Sequence, residues 1–217
     1  MSVTRSLGVA AVLSLAGTGC AQAQDRRPNL DTEPIIGLPC EGCEAVYEGL
    51  PGSFGAVVRI APKEEPGEAM TIEGTVRDAK GRPAPGVIVY AYHTDAQGEY
   101  PRDEQLRGAA ARHGRLRGWA QTDEQGRYAF HTIRPASYPS RTTPAHLHMH
   151  VIEPGCCTYY LASIHFTDDP LLSGRERRAL ASGRGSSGLV RPERDPQGVW
   201  QVTRDIVLGE RIPDYPR

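Results

Sequence analysis

The 217-residue chain has almost no lysine and no excess charge of either sign. Lys63 and Lys80 are its only lysines, so arginine is the default cation, and Lys+Arg 25 against Asp+Glu 26 leaves a formal net charge of -1. That balance excludes a strongly basic nucleic-acid binder and a protein with an acidic tail. No apolar run approaches the roughly 20 residues that a membrane-spanning helix needs. Helical patterning is nearly missing too, with short candidates only at 103–112 and 175–181. Present in quantity are Gly 24 and Pro 18, with aromatic residues spread along the chain. This is the composition of one loop-rich globular domain, not of a disordered chain.

Residues 1–23 read as a signal peptide. Arg5 is their only charge, Leu7 to Leu15 is short and mostly apolar, and Ala21-Gln22-Ala23 is a small-residue cleavage pattern. Removing them leaves 217 − 23 = 194 residues, enough for one sizeable core. The rival is a lipoprotein signal, with membrane attachment through Cys20, although Gly17 stands where leucine is usual. A buried N-terminal helix is opposed by Gly8, Gly17 and Gly19. Export to a periplasmic or extracellular location is therefore expected, and Cys40, Cys43, Cys156 and Cys157 read as disulfide formers. Neighbouring residues on an extended chain point apart, which favours a bridge from the Cys40/Cys43 segment to Cys156/Cys157. A zinc site at Cys40-x-x-Cys43 lacks well-spaced partners. A thioredoxin-like motif lacks its βαβ surroundings.

Residues 24–69 form an arm rich in Pro, Gly and charge; from 70 to 217 the texture is that of strands. Strands are expected over 71–76, 87–93, 127–132, 146–152, 159–166 and 199–207, with turns at 78–81, 95–98 and 123–126. Such spacing predicts an all-β, antiparallel β-sandwich with long loops and few short helices. The stretch 102–117 carries five arginines: a solvated loop, or a patch that attracts an anionic substrate.

The densest chemical signal is His146-Leu147-His148-Met149-His150. On a strand the three imidazoles share one face and Leu147 and Met149 the other. Buried ring nitrogens need partners, and a metal ion satisfies them directly. Tyr100 and Tyr138 each precede a proline. Phenolate is a hard anionic donor suited to a hard, higher-valent ion. From spacing alone each tyrosine also fits ordinary turn packing.

An ordered motif set narrows the choice. It comprises Gly74-Thr75-Val76 with Asp78; Thr94-Asp95-Ala96 with Gly98 and Tyr100; Arg117-Gly118; and Thr122-Asp123 with Gly126, Tyr128, Phe130, Thr132-Ile133 and Pro135. Tyr138-Pro139, Pro144-Ala145-His146 with His148, and Asp169-Pro170 complete it. The chain resembles the intradiol ring-cleavage dioxygenases, especially the protocatechuate dioxygenase type, strongly from about 70 to 171 and more weakly to Asp205-Ile206-Val207-Leu208. The resemblance implies a non-haem Fe(III), Fe(3+), held by Tyr100, Tyr138, His146 and His148, with solvent as fifth ligand. It implies a catechol-type substrate and O2, both oxygen atoms entering a ring cut between its hydroxyl-bearing carbons to give a muconate-type diacid. Tyr138 is then the ligand that the catechol displaces and that accepts a proton. His150 lies outside the pattern. The long helical dimerisation segment of catechol dioxygenases has no counterpart, so that dimer mode is not expected.

Two positions depart from the family. Thr143 stands where arginine usually precedes Pro-Ala-His, with Arg141 two residues earlier as a candidate substitute. Ala162-Ser163 replaces a usual Thr-Gln, and the shorter Ser163 is expected to leave space beside the substrate ring. These departures keep open a dioxygenase-like envelope protein that binds metal or an aromatic ligand without turnover. A cupin-type metalloenzyme is a further alternative, since His146-x-His148 followed by Glu153 imitates half its motif; the flanking glycines and the later Gly-Pro-Gly-His are missing.

Overall fold

The computed structural model describes Met1, residues 33–40 and residues 42–216. The cleavage site and Cys20 lie outside the described residues, as does the expected signal peptide apart from Met1. No helix of the described residues is long and apolar enough to cross a membrane.

A 3-10 helix at Cys43–Tyr47 precedes β1 (Val57–Arg59), β2 (Ala69–Arg77), β3 (Ile88–His93), α1 (Ala110–His113), β4 (Arg117–Gln121) and β5 (Arg127–Ile133). Then come β6 (His146–Glu153), β7 (Cys157–Tyr160), β8 (Ile164–Phe166), α2 (Gly174–Leu180), β9 (Leu189–Val190), β10 (Glu193–Arg194), β11 (Trp200–Thr203) and β12 (Ile206–Val207). One sheet runs β1-β5-β2-β11-β10, with β12 also on β2. The other runs β4-β3-β6-β8-β9, with β7 also on β6. The central pairs β2–β5, β3–β4 and β3–β6 are antiparallel, as a sandwich requires. Parallel pairs join β1 to β5, β11 and β12 to β2, and β9 to β8.

Period-two alternation builds the core. Met70, Ile72 and Val76 of β2 and Tyr128 and Phe130 of β5 meet Val89, Ala91, Leu147, Met149 and Val151 of the other sheet. The larger aliphatic and Phe side chains among them each contribute roughly 1.5–3 kcal/mol when fully buried. The second sheet is covered on its outer face as well. There Ile88, Tyr90, Tyr92, Trp119 and Ile152 pack with Val46 of the arm, whose carbonyl accepts a 2.8 Å bond from Trp119 Nε1. Burial on both faces explains why β3 is apolar or aromatic at nearly every position.

The expected strands 159–166 and 199–207 are each split. Arg204 turns inward instead of continuing its strand, and its guanidinium donates to the carbonyls of Gly185 and Asp205 at 3.1 and 2.5 Å. β4 was not foreseen because Gly118 interrupts it; a Cβ there would lie 3.0 Å from Ile60. The helix expected over 103–112 is reduced to the four residues of α1. The one expected over 175–181 is α2, begun by a capping box between Ser173 and Glu176.

The expected bridge between the Cys40/Cys43 segment and Cys156/Cys157 is not formed. Cys40 and Cys43 pair with each other across a Cα separation of 5.6 Å. Cys156 and Cys157 are free, their sulfurs 2.8 Å apart. The tight Gly155 turn between β6 and β7, with φ +77°, brings the neighbouring side chains together where an extended chain would part them.

Candidate metal centre and its pocket

His146, His148 and His150 do share one face of β6, the face turned away from the inter-sheet core, while Leu147, Met149 and Val151 fill that core. Asp169 pins the start of the strand. One carboxylate oxygen accepts from Ala145 N at 2.7 Å and the other from Leu171 N at 2.8 Å. This fixes Pro144 and Ala145 directly before His146, and gives Asp169-Pro170 a structural purpose.

Tyr100 follows a turn organised by Asp95, whose side chain accepts from Gln97 N and Glu99 N at 2.9 and 3.0 Å. That turn is fastened to the segment carrying Tyr138. Thr94 Oγ1 donates to Ala136 O at 2.8 Å, and Ala136 N donates to Asp95 O at 3.1 Å. Gly98 lies so close to Ser137 that any Cβ would collide with its carbonyl.

These elements bring Tyr100, Tyr138, His146 and His148 into a closed ring of donor atoms. The edges are Tyr100 Oη to Tyr138 Oη at 3.0 Å, Tyr138 Oη to His146 Nε2 at 3.2 Å, His146 Nε2 to His148 Nε2 at 3.2 Å, and His148 Nε2 to Tyr100 Oη at 3.1 Å. His146 Nδ1 donates to Pro144 O at 2.8 Å, which leaves the lone pair on Nε2. His148 Nδ1 lies 3.4 Å from Ser163 Oγ; with Nδ1 as the donor, the His148 lone pair also faces the ring. Two imidazole lone pairs facing each other at that distance repel unless a cation lies between them. Burial and the neighbouring histidines push His148 down to about 2, so it is neutral and able to ligate. Edges of this length leave each donor about 1.9–2.2 Å from a common centre, within the range of metal–nitrogen and metal–oxygen bonds. The residues present fit a metal ion.

A cavity of about 480 Å3 opens over the ring, lined by Tyr100, Tyr138 and His148 together with Cys40, Gly42, Glu44, Tyr92, Arg112 and His113. Several of these carried no sequence signal. Tyr92 was within reach of strand alternation, since it pairs in register with His148 and stacks on it at 4.6 Å and 12°. His113, Gly42 and Glu44 had no pattern to reveal them, and Cys40 was marked only as a disulfide former. Of the five arginines in 102–117, Arg112 reaches the cavity, where it pairs with Glu44 at 2.6 Å. Arg115 is taken by Glu65.

His150 is fully buried between Tyr90 and Tyr160, ring centroids 5.8 and 5.5 Å away, and makes no edge of the ring. Glu153, at the far end of β6, accepts from Tyr159 and Tyr215 and takes no part either, against the cupin pattern. Ser163 does not open space in the cavity as expected; it is buried behind His148, with Oγ 2.8 Å from Tyr160 Oη. Neither Thr143 nor Arg141 lines the cavity. Thr143 O accepts from Ser137 Oγ, and Arg141 is exposed with φ 52°.

A dioxygenase family model matches residues 55–208. Among curated proteins, 6-chlorohydroxyquinol 1,2-dioxygenase of Cupriavidus pinatubonensis is 33% identical over 161 residues, covering 66% of this chain and 54% of that one. The protocatechuate 3,4-dioxygenase beta chain of Burkholderia cepacia is 29% identical over 121 residues, covering 49% and 48%. The chain thus spans about half the length of these relatives. Among solved structures, the dioxygenase domain of a carbohydrate-binding fusion from Streptomyces sp. SirexAA-E superposes with a TM-score of 0.53 at 22% identity, over 74% of this chain and 94% of that one. Catechol 1,2-dioxygenase from Acinetobacter sp. ADP1 gives 0.53 at 22%, over 76% and 63%. Both likenesses extend the agreement in fold.

Proposed function

The chain belongs to the intradiol ring-cleavage dioxygenase family, and from that premise we propose that it cleaves a catechol-type aromatic between its two hydroxyl-bearing carbons, using O2 and a ferric ion. The observation that carries this reading is the ring of two phenol oxygens and two imidazole nitrogens beneath an open cavity. Tyr100, Tyr138, His146 and His148 would hold the iron; a hard ion of high charge suits two phenolates. Such an ion would supply Lewis acidity that activates a catechol towards O2.

The chain's own residues supply the rest. Pro144 O and Ser163 Oγ orient the two imidazoles. Tyr92, stacked on His148, holds that ring in plane and forms one wall of the cavity. Tyr138 lines the cavity as Tyr100 does, and by the family resemblance it is the one that would leave the ring and take up a substrate hydroxyl proton at Oη. We place the activity in an exported protein. The Cys40–Cys43 disulfide supports an oxidising compartment.

The test is spectroscopic and chemical. Iron-loaded protein is expected to show a visible tyrosinate band and to consume O2 on addition of catechols, with a muconate-type diacid identified by mass spectrometry. Tyr100→Phe and Tyr138→Phe each alter the band, and His146→Ala or His148→Ala lowers iron content. His150→Ala keeps the iron. An unchanged spectrum in Tyr100→Phe, or iron loss in His150→Ala, would overturn the ligand assignment. A normal band without O2 uptake would favour the non-turnover binding protein.

A further inference from the structure

We propose that His113 is a substrate-binding residue, whose Nε2–H takes a hydrogen-bond acceptor on the ring substituent of the catechol. The inference rests on the dioxygenase reading and adds to it a substrate class: catechols whose substituent bears oxygen.

His113 ends α1 and is 3% exposed, yet it lines the cavity over the donor ring. Its Nδ1 lies 2.8 Å from Tyr90 Oη. The guanidinium of Arg117 stands 5.5 Å from the Tyr90 ring centroid and has no acceptor to offer. The Tyr90 proton is therefore directed to Nδ1, and the imidazole keeps its hydrogen on Nε2. Burial, with His150, Arg117 and Arg112 nearby, pushes His113 down to about 3 and keeps it in that neutral form. Among the described residues Nε2 makes no hydrogen bond, although the ring as a whole is buried.

The ring is also held rigidly. It stacks on Tyr92 at 3.6 Å and 5°, and Tyr92 stacks on His148, so His113 is the outer member of a column that starts at a candidate iron ligand. Gly42, with φ +77°, lies against its outer edge; a Cβ there would sit 2.6 Å from Nε2. Only glycine leaves that nitrogen uncovered. Arg112 also lines the cavity, with one of its N–H groups on Glu44 at 2.6 Å.

The experiment is an anaerobic titration of the visible band of iron-loaded protein with 4-methylcatechol, 3,4-dihydroxybenzyl alcohol and 3,4-dihydroxybenzoate, in wild type, His113→Phe and Gly42→Ala. Phenylalanine keeps the stack and deletes the donor; alanine covers it. Wild type is expected to bind the two oxygen-bearing catechols more tightly than the methyl compound. In both variants that preference falls, about threefold to tenfold for the neutral alcohol and about tenfold or more for the carboxylate. His113→Gln, which retains an N–H donor, recovers part of it. An unchanged selectivity ratio in His113→Phe with a normal visible band would overturn the role of His113 alone. A wild type without the band would overturn the iron reading first.

Discussion

Replacing Gly98 by alanine tests how the two tyrosines are brought together. Gly98 has φ +83°, and a Cβ there would lie 2.8 Å from the Ser137 carbonyl carbon and closer still to its oxygen. Ordinary contact begins near 3.4 Å, so the 95–100 turn must retreat by at least about 0.6 Å, and by more to clear the oxygen. The left-handed backbone costs alanine about 1–2 kcal/mol. The overlap adds about 1–3 kcal/mol. A loss of about 2–5 kcal/mol of stability is therefore expected. The effect on the site is sharper. Tyr100 is two residues from Gly98, and Tyr138 directly follows the residue struck, so the displacement separates the two phenols that now lie 3.0 Å apart. Metal bonds tolerate about 0.2 Å. Gly98→Ala is expected to lose most of its iron even at temperatures where it stays folded. Iron content, the visible band and a thermal melt on the same sample decide the matter. A variant with full iron and an unshifted band would refute the view that this backbone contact sets the site.

Acid should weaken the fold before carboxylates protonate. Burial pushes His93 down to about 4 and His113 down to about 3, from 6.5 in an unfolded chain. Below 6.5 the unfolded state binds more protons, so the stability from these neutral rings is complete above that pH and is lost as pH falls towards 4 and 3, by about 1.4 kcal/mol per histidine at pH 5.5. Urea midpoints that stay level between pH 7.5 and 5.5 would contradict this. Mass spectrometry after alkylation without reduction is expected to find Cys40 joined to Cys43, with Cys156 and Cys157 alkylated. A peptide linking the two pairs would restore the rejected bridge.

The sandwich was legible because β2, β5 and β6 alternate over seven to nine residues, with Asp/Gly turns between several strands. The histidine face was legible for the same reason. Strand ends were not, because what breaks them is non-local. Arg204 leaves its strand to reach the carbonyls of Ala162, Arg184 and Gly185, none near it in sequence. Periodicity cannot express such a contact. The tyrosines carried no signal of their own. Only the ordered motif set attached them to the histidines, and their proximity depends on the close approach of Gly98 to Ser137. The cysteine pairing was not legible because the Gly155 turn sets Cys156 and Cys157 side by side, where an extended chain would part them.

The pocket has the same non-local character, and it is where this chain parts from the family pattern. The positions read from motif departures, Thr143 and Ser163, do not line the cavity. Cys40, Gly42 and Glu44 do line it, and all three precede residue 55, where the family match begins. The arm is fixed there by Val46 beneath Trp119 and by the disulfide that closes the loop around Gly42. An arginine restored at Thr143 would enter a segment whose carbonyl is tied to Ser137, outside the cavity wall. A change in the arm moves the wall itself. On the proposed dioxygenase reading, substrate choice is therefore to be sought in Cys40, Gly42 and Glu44, with Arg112 and His113 on the same cavity wall, and metal binding in Tyr100, Tyr138, His146 and His148.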